Sequence, residues 1–287
     1  KINLEKLVIE AEFLQAFQKS KPEGIVPYVD EADEKEEEFF LVIEKLEGKD
    51  LEATFHDDYG SKKLDEETVV KFSNDIAKAL RYLHDCRDLP GRYGVIHRDI
   101  DPKNIIAVEK NGEEHCVLID FGAATDIKDV NSKIGKEGWS CWHAMLPPYN
   151  VRAECDIYAL GRTMWYMATG VLPSKYERSD PKHLGNMEYT AEQLFGVSPE
   201  LSNLINDMIN YPDHSKVQTA GDVIQRLSLL MTSTRQAPRV QSRKYTVRPQ
   251  QQQILQGPHI ILGGKRYLII GNHCEIGQSH NCDTNFD

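Results

Sequence analysis

The sequence predicts an α+β protein of two unequal lobes, a small one holding few strands and a large one that is mainly helical. Three observations predict it. Strand-like runs are short and gather near the start, as in GIVPYVD (24–30) and EFFLVIEKL (38–46). Long helical periods dominate from residue 66 to residue 231. Strands first and helices after them, without regular alternation, argue against a doubly wound parallel sheet.

Taken in order, residues 4–17 place Leu4, Leu7, Val8, Ala11, Leu14 and Phe17 at helical spacing. The two early strands flank DEADEKEEE, which reads as a solvated hairpin tip. EETVVKFSNDIAKALRYLHD (66–85) has a clear helical period, and HCVLID (115–120) is a short strand. ECDIYALGRTMWYMATG (154–170) is so apolar that it predicts a buried helix. SPELSNLINDMIN (198–210) opens on a Ser-Pro-Glu start signal, and TAGDVIQRLSLLM (219–231) follows a threonine cap. From 232 the chain turns polar, with Arg235, Arg239, Arg243, Lys244 and Arg248 and no acid through the glutamines at 250–253. That is linker chemistry. HIILGGKRYLIIGNHCEIGQSHNCD then alternates strand with Gly/Asn turn and predicts a small β element. The boundaries so read are 1–50 for the small lobe, 51–232 for the large lobe, 233–257 for the linker and 258–287 for the terminal element.

Composition narrows the function classes. A formal net charge of −11 opposes non-specific nucleic-acid binding, because a phosphate backbone would be repelled. No apolar run approaches the roughly 20 residues that span a bilayer. The opening KINLEKLVIEAEFLQAF is interrupted by Glu5, Glu10 and Glu12 and is unlike a secretory signal. Cysteines at 86, 116, 141, 155, 274 and 282 form no disulfide framework for 287 residues. The expectation is a reduced, cytoplasmic chain.

The chemistry lies in HRDIDPKN (97–104) and DFG (120–122). One aspartate in a loop is ordinarily a turn former or a cap. Here Asp99, Asn104 five residues on, and Asp120 after a strand share one task, since carboxylates and an amide oxygen suit a hard cation. With the DIYALG helix (156–161) behind them, the order resembles that of the eukaryotic-type protein kinases, over residues 1 to about 232. The resemblance implies a bilobal kinase-like fold, ATP and Mg²⁺ as cofactors, and a protein substrate carrying a serine or threonine hydroxyl. Asp99 would be the catalytic base, and Asn104 and Asp120 the metal ligands. His97 and Phe121 would pack beneath the loop, and Asp156 would hold the loop's backbone. Glu10 would stand where the family's glutamate pairs with the ATP-anchoring lysine. In LVIEKLEGKDL (41–51), Ile43 would control the rear pocket, the backbone of Glu44 and Leu46 would meet adenine, and Asp50 would reach the ribose.

Several positions depart from the family pattern. No glycine-rich phosphate loop and no VAIK-like strand precede Glu10, so the given residues are expected to be part of a longer chain. Asp101 replaces the lysine that touches the transferred phosphate, and Lys103 is the candidate replacement, catalytic through its charge. If GKEGW (135–139) matches the family's GTPGW, Lys136 replaces a threonine that contacts the catalytic aspartate. His143 then replaces the glutamate of APE, and Val217 of KVQT (216–219) replaces its arginine partner. Losing both halves of a buried ion pair is far milder than losing one. Arg98 and Ser132 match a phosphosite pair, which implies regulation by phosphorylation.

YLIIGNHCEIGQSHNCD (267–283) resembles the opening of a forkhead-associated domain, implying a phosphoprotein partner, although Gln278 replaces its arginine. His273, Cys274, His280 and Cys282 are the competing zinc reading, without paired CxxC spacing. The leading expectation is a Ser/Thr protein kinase. The alternatives are a pseudokinase or signalling scaffold, supported by Asp101, Lys136 and His143, and a small-molecule phosphotransferase, opposed by the full activation segment.

Overall fold

A computed structural model of the chain describes residues 4–34, 38–57, 63–91, 93–126, 136, 138–145, 149–170, 197–209, 217–234, 259–262 and 265–270. Ser132 and the four candidate zinc ligands lie outside these residues.

The small lobe begins with α1 (Leu4–Phe17), which buries Leu7, Ala11, Phe13, Leu14 and Phe17. It packs on β1 (Tyr28–Glu34) and β2 (Glu38–Glu44), an antiparallel pair. The first strand starts later than its sequence suggests. Val26 N–H donates to the carbonyl of Leu118, and Pro27 has no N–H to give a ladder. The expected hairpin is present as the antiparallel β1–β2 pair, closing with Glu34 opposite Glu38, and residues 30–34 of the charge run lie in β1 itself. That works because β1 is an edge strand, where charges are tolerated and discourage further pairing.

The sheet continues through the far end of the chain. β8 (His259–Leu262) and β9 (Lys265–Ile270) form an antiparallel hairpin, and β9 pairs with β2, giving the order β1-β2-β9-β8. These two strands do not stand apart from the small lobe.

Below the sheet, β3 (Gly48–Asp50) leads into α2 (Leu51–Asp57). Gly48 has no room for a side chain, since a Cβ would lie 2.0 Å from the carbonyl oxygen of Ala107. The long α3 (Glu66–Asp85) is capped by Asp65, whose carboxylate accepts from Thr68 N–H at 2.9 Å. Its apolar stripe from Val69 to Leu83 forms the floor of the large lobe. A two-strand ladder, β4 (Val95–Ile96) with β7 (Thr125–Asp126), brackets the candidate loops. β5 (Ile105–Lys110) and β6 (Glu113–Leu118) complete a second sheet in the order β3-β5-β6. HCVLID was legible as a strand and overlaps β6, whereas β3 and β5 were not read as strands.

After the short helix α4 (Trp142–Met145), α5 (Ala153–Thr169) buries every residue from Cys155 to Ala168. Gly161 lets α6 (Pro199–Ile209) come close, for a Cβ there would sit 2.8 Å from that of Met208. α7 (Ala220–Thr234) closes the lobe against α3.

Candidate active site

The loop 97–104 runs from β4 into a 3₁₀ turn, Pro102–Asn104. Asp156, 1% exposed in α5, fixes its start. One carboxylate oxygen accepts from His97 N–H and the other from Arg98 N–H, both at 2.8 Å. His84 lies 2.9 Å from the same carboxylate. Arg98 adopts φ of 70°, a left-handed conformation that a side chain ordinarily avoids. Two charge-assisted hydrogen bonds from one buried acid sustain that strain. The His97 ring, fully buried, packs on Phe121 with centroids 4.8 Å apart.

The turn so built presents Asp99. Asn104 Nδ2 donates to the Asp99 carbonyl at 2.9 Å and to Asp99 Oδ2 at 3.0 Å. Burial raises the Asp99 carboxyl above its ordinary range. The charges of Asp101 and Asp120 raise it further, while His97 and Lys136 pull it down. A carboxylate with raised proton affinity, held by a hydrogen bond to one of its oxygens, is a placed proton acceptor.

Asp120 follows β6 with φ of 62°, and its Oδ1 accepts from Gly122 N–H at 3.2 Å. A Cβ on Gly122 would come within 3.2 Å of that same oxygen, so glycine keeps the carboxylate clear. Phe121 is buried, and its N–H donates to Glu10 Oε1 at 3.1 Å. Burial, then the charge of Asp120, pushes the Glu10 carboxyl up to about 7. Glu10 thus ties α1 to the DFG backbone, a role its position in the sequence did not suggest. Among the described residues, no three His, Cys, Asp or Glu side chains gather to hold a metal unaided. Asn104 and Asp120 nevertheless fit Mg²⁺. With its nitrogen donating to Asp99, the Asn104 amide keeps its oxygen as an acceptor, and a Mg²⁺ site of this kind uses one or two protein oxygens plus phosphates.

The remaining predicted residues follow β2 downward. Ile43 is buried. Glu44 N–H donates to the Pro27 carbonyl at 2.9 Å, and Glu44 stands opposite Tyr267 of β9. Leu46 packs on the core, and its carbonyl accepts from Gly48 N–H at 3.1 Å. Asp50 caps α2, accepting from Ala53 N–H at 2.7 Å, and pairs in register with Ile106 just beyond the 3₁₀ turn.

Lys103 and Lys136 are placed differently from one another. Lys103 Nζ is 3.1 Å from Glu52 on the surface, an acid the sequence reading did not single out. Lys136 Nζ instead pairs with Asp101, whose other oxygen accepts from Lys103 N–H at 2.8 Å. The two residues that depart most from the family pattern are therefore partners. His143 and Val217, the positions of the missing ion pair, are both buried. Cys141 and Cys155, 2.8 Å apart at sulfur, join this segment to α5. So does Arg162, fully inside an apolar helix, whose Nε donates to the Gly138 carbonyl at 2.8 Å. The one basic letter in ECDIYALGRTMWYMATG was the available signal for it.

Comparison with known proteins agrees with this geometry. The sequence model of the protein kinase domain matches residues 2–228. The serine/threonine-protein kinase PknA of Nostoc is 31% identical over 208 residues, covering 68% of this chain and 34% of that protein. The serine/threonine-protein kinase B of Synechocystis is 28% identical over 212 residues, covering 68% and 33%. A putative mitogen-activated protein kinase kinase kinase 7-like protein of Drosophila is 34% identical over 139 residues, covering 47% and 32%. The matched region is about a third of the length of each of these relatives. A loop aspartate held by Asn104, a DFG aspartate beside it and an α5 acid beneath the loop are the family's arrangement, and the chain belongs to the protein kinase domain family.

Proposed function

We propose that the chain transfers the γ-phosphate of ATP to a serine or threonine hydroxyl of a protein. The observation that carries this reading is the Asp99 carboxylate, raised in proton affinity and held by Asn104. Asp99 orients the substrate hydroxyl and accepts its proton as the oxygen bonds to the γ-phosphorus and the bond from that phosphorus to the β–γ bridging oxygen breaks, releasing ADP. Asp156 keeps the loop rigid, so the acceptor oxygen stays in place. Asn104 and Asp120 would hold Mg²⁺, which when bound would neutralise charge on the phosphate oxygens. Ile43, Glu44, Leu46 and Asp50 line the adenosine end, with Glu10 bracing the DFG turn. The relatives named as serine/threonine kinases support the choice of hydroxyl.

The partner is a protein substrate, and a phosphoprotein bound through the terminal β element is the second. Among the described residues no helix is long and apolar enough to cross a membrane.

The test is phosphate transfer from labelled ATP with Mg²⁺ to a mixed protein substrate, followed by acid hydrolysis of the product. Label in phosphoserine and phosphothreonine supports the reading. Label in phosphotyrosine alone, or in a sugar or amine alone, overturns it. Magnesium-dependent ATP binding without transfer indicates a scaffold.

A further inference from the structure

We propose that Lys136, carried by the segment after DFG, is the cation that contacts the transferred phosphate, in exchange for the lysine that Asp101 displaces. The inference rests on the phosphoryl-transfer reading above and names a catalytic residue within it.

Asp101 is 1% exposed, and both its oxygens are engaged, one by Lys103 N–H and the other by the Lys136 ammonium. Such an acid is a fixed anchor. The Lys136 side chain is by contrast 45% exposed, so its ammonium is held at one side and open at another. An ammonium has three N–H donors, and one suffices for Asp101. Those left are available to phosphate oxygens beside Asp99, whose carboxyl feels the Lys136 charge.

The backbone around Lys136 is fixed as a catalytic group requires. Its N–H donates to Ser140 Oγ at 2.8 Å, and its carbonyl accepts from Trp139 and Ser140 N–H at 3.0 Å. Arg162 clamps the same turn through Gly138. The rival cation, Lys103, has its ammonium drawn to Glu52 of α2, 3.1 Å away on the surface, whereas that of Lys136 is held against Asp101 of the catalytic loop itself.

The exchange is reciprocal. The family places a cation on the loop and a hydroxyl on the segment; this chain places a carboxylate on the loop and a cation on the segment.

The experiment measures kcat and its pH profile for the longest natural form of the chain with ATP and Mg²⁺. Lys136→Ala is expected to lower kcat about 10²-fold, as loss of a charge-stabilising donor does. Lys136→Arg retains most of the rate. Lys103→Ala costs at least tenfold less than Lys136→Ala. The acid limb of the profile moves to higher pH in Lys136→Ala, since a charge that favours ionised Asp99 is gone. The double variant Asp101→Lys with Lys136→Thr, which restores the family pattern, recovers rate over either single change. Wild-type kcat in Lys136→Ala overturns the inference alone. So does a loss with the acid limb unmoved and no retention by Lys136→Arg, which marks a structural tether. No transfer by the wild type overturns the enzymatic reading and the inference with it.

Discussion

Asn104 Nδ2 reaches Asp99 twice, at 2.9 Å to its carbonyl and 3.0 Å to its Oδ2. One amide thus closes the loop on itself and aims the carboxylate, while its oxygen stays available to a metal. Asn104→Ala removes all three interactions. The expected result is a loss of activity of about 10²-fold or more, with a weaker dependence of ATP binding on Mg²⁺. Titrating Mg²⁺ at fixed ATP checks it. A change in kcat with an unaltered Mg²⁺ midpoint would remove the metal role and leave only the support of the loop.

Asp156 holds the start of the same loop from below. Replacing it by alanine leaves two buried backbone N–H groups without acceptors, at about 1.5–3 kcal/mol for each charge-assisted bond lost. Asp156→Ala should therefore lower stability by about 3–6 kcal/mol in denaturant unfolding. A loss below about 1 kcal/mol would mean that the loop carries its own strain at Arg98.

Glu10 makes stability depend on pH. The folded chain keeps the Glu10 proton up to about 7, whereas the unfolded chain releases it near 4.5. Below 4.5 both states are protonated and the group contributes no difference. Between those two values the folded state binds more protons, so stability falls as pH rises. Above 7 the full cost, about 3 kcal/mol, is in force. Glu10→Gln keeps an oxygen for Phe121 N–H and removes the charge. It should match the wild type at pH 4 and be more stable by about 3 kcal/mol at pH 8. Parallel unfolding curves at the two pH values would contradict this.

Glu66 pins α3 to α6, accepting from Ser198 N–H at 2.8 Å and from Ser198 Oγ at 2.6 Å. These bonds are half-buried and charge-assisted, so Glu66→Ala is expected to cost about 2 kcal/mol. Ser198→Ala removes the Oγ–Glu66 bond and also the α6 cap, in which Ser198 Oγ accepts from Leu201 N–H at 3.2 Å, so it should cost a similar amount. A loss below about 0.5 kcal/mol in Glu66→Ala would show that Glu66 does not hold the two helices together.

How much of this was legible follows the range of the interactions. α3 was readable to the residue, because a local cap at Asp65 and an unbroken apolar period fix both ends. The charge run was read as a hairpin tip, and β1 and β2 do pair antiparallel across it, but the late start of β1 was not legible because it depends on the distant Leu118. Asp99, Asn104 and Asp120 were singled out by their motifs and by the resemblance these carry, and the local turn that brings Asn104 onto Asp99 spans only five residues. Lys136 and Asp101 were both noticed as departures, yet their pairing spans 35 residues and no spacing rule predicts it. Glu10 was placed correctly in α1, but its acceptor role toward Phe121 depends on how α1 sits over the DFG turn, 111 residues away. Asp50 was read as a ligand contact, and its capping of α2 went unread although its position before LEATFHD offered that local signal.

The most direct test of the central claim is the initial rate of γ-phosphate transfer to protein by the wild type and by Asp99→Asn, side by side with ATP and Mg²⁺. The account predicts transfer by the wild type and a fall of about 10²–10⁴-fold in the variant, as loss of a positioned proton acceptor produces. Equal rates in the two proteins, or no transfer by either, would contradict it.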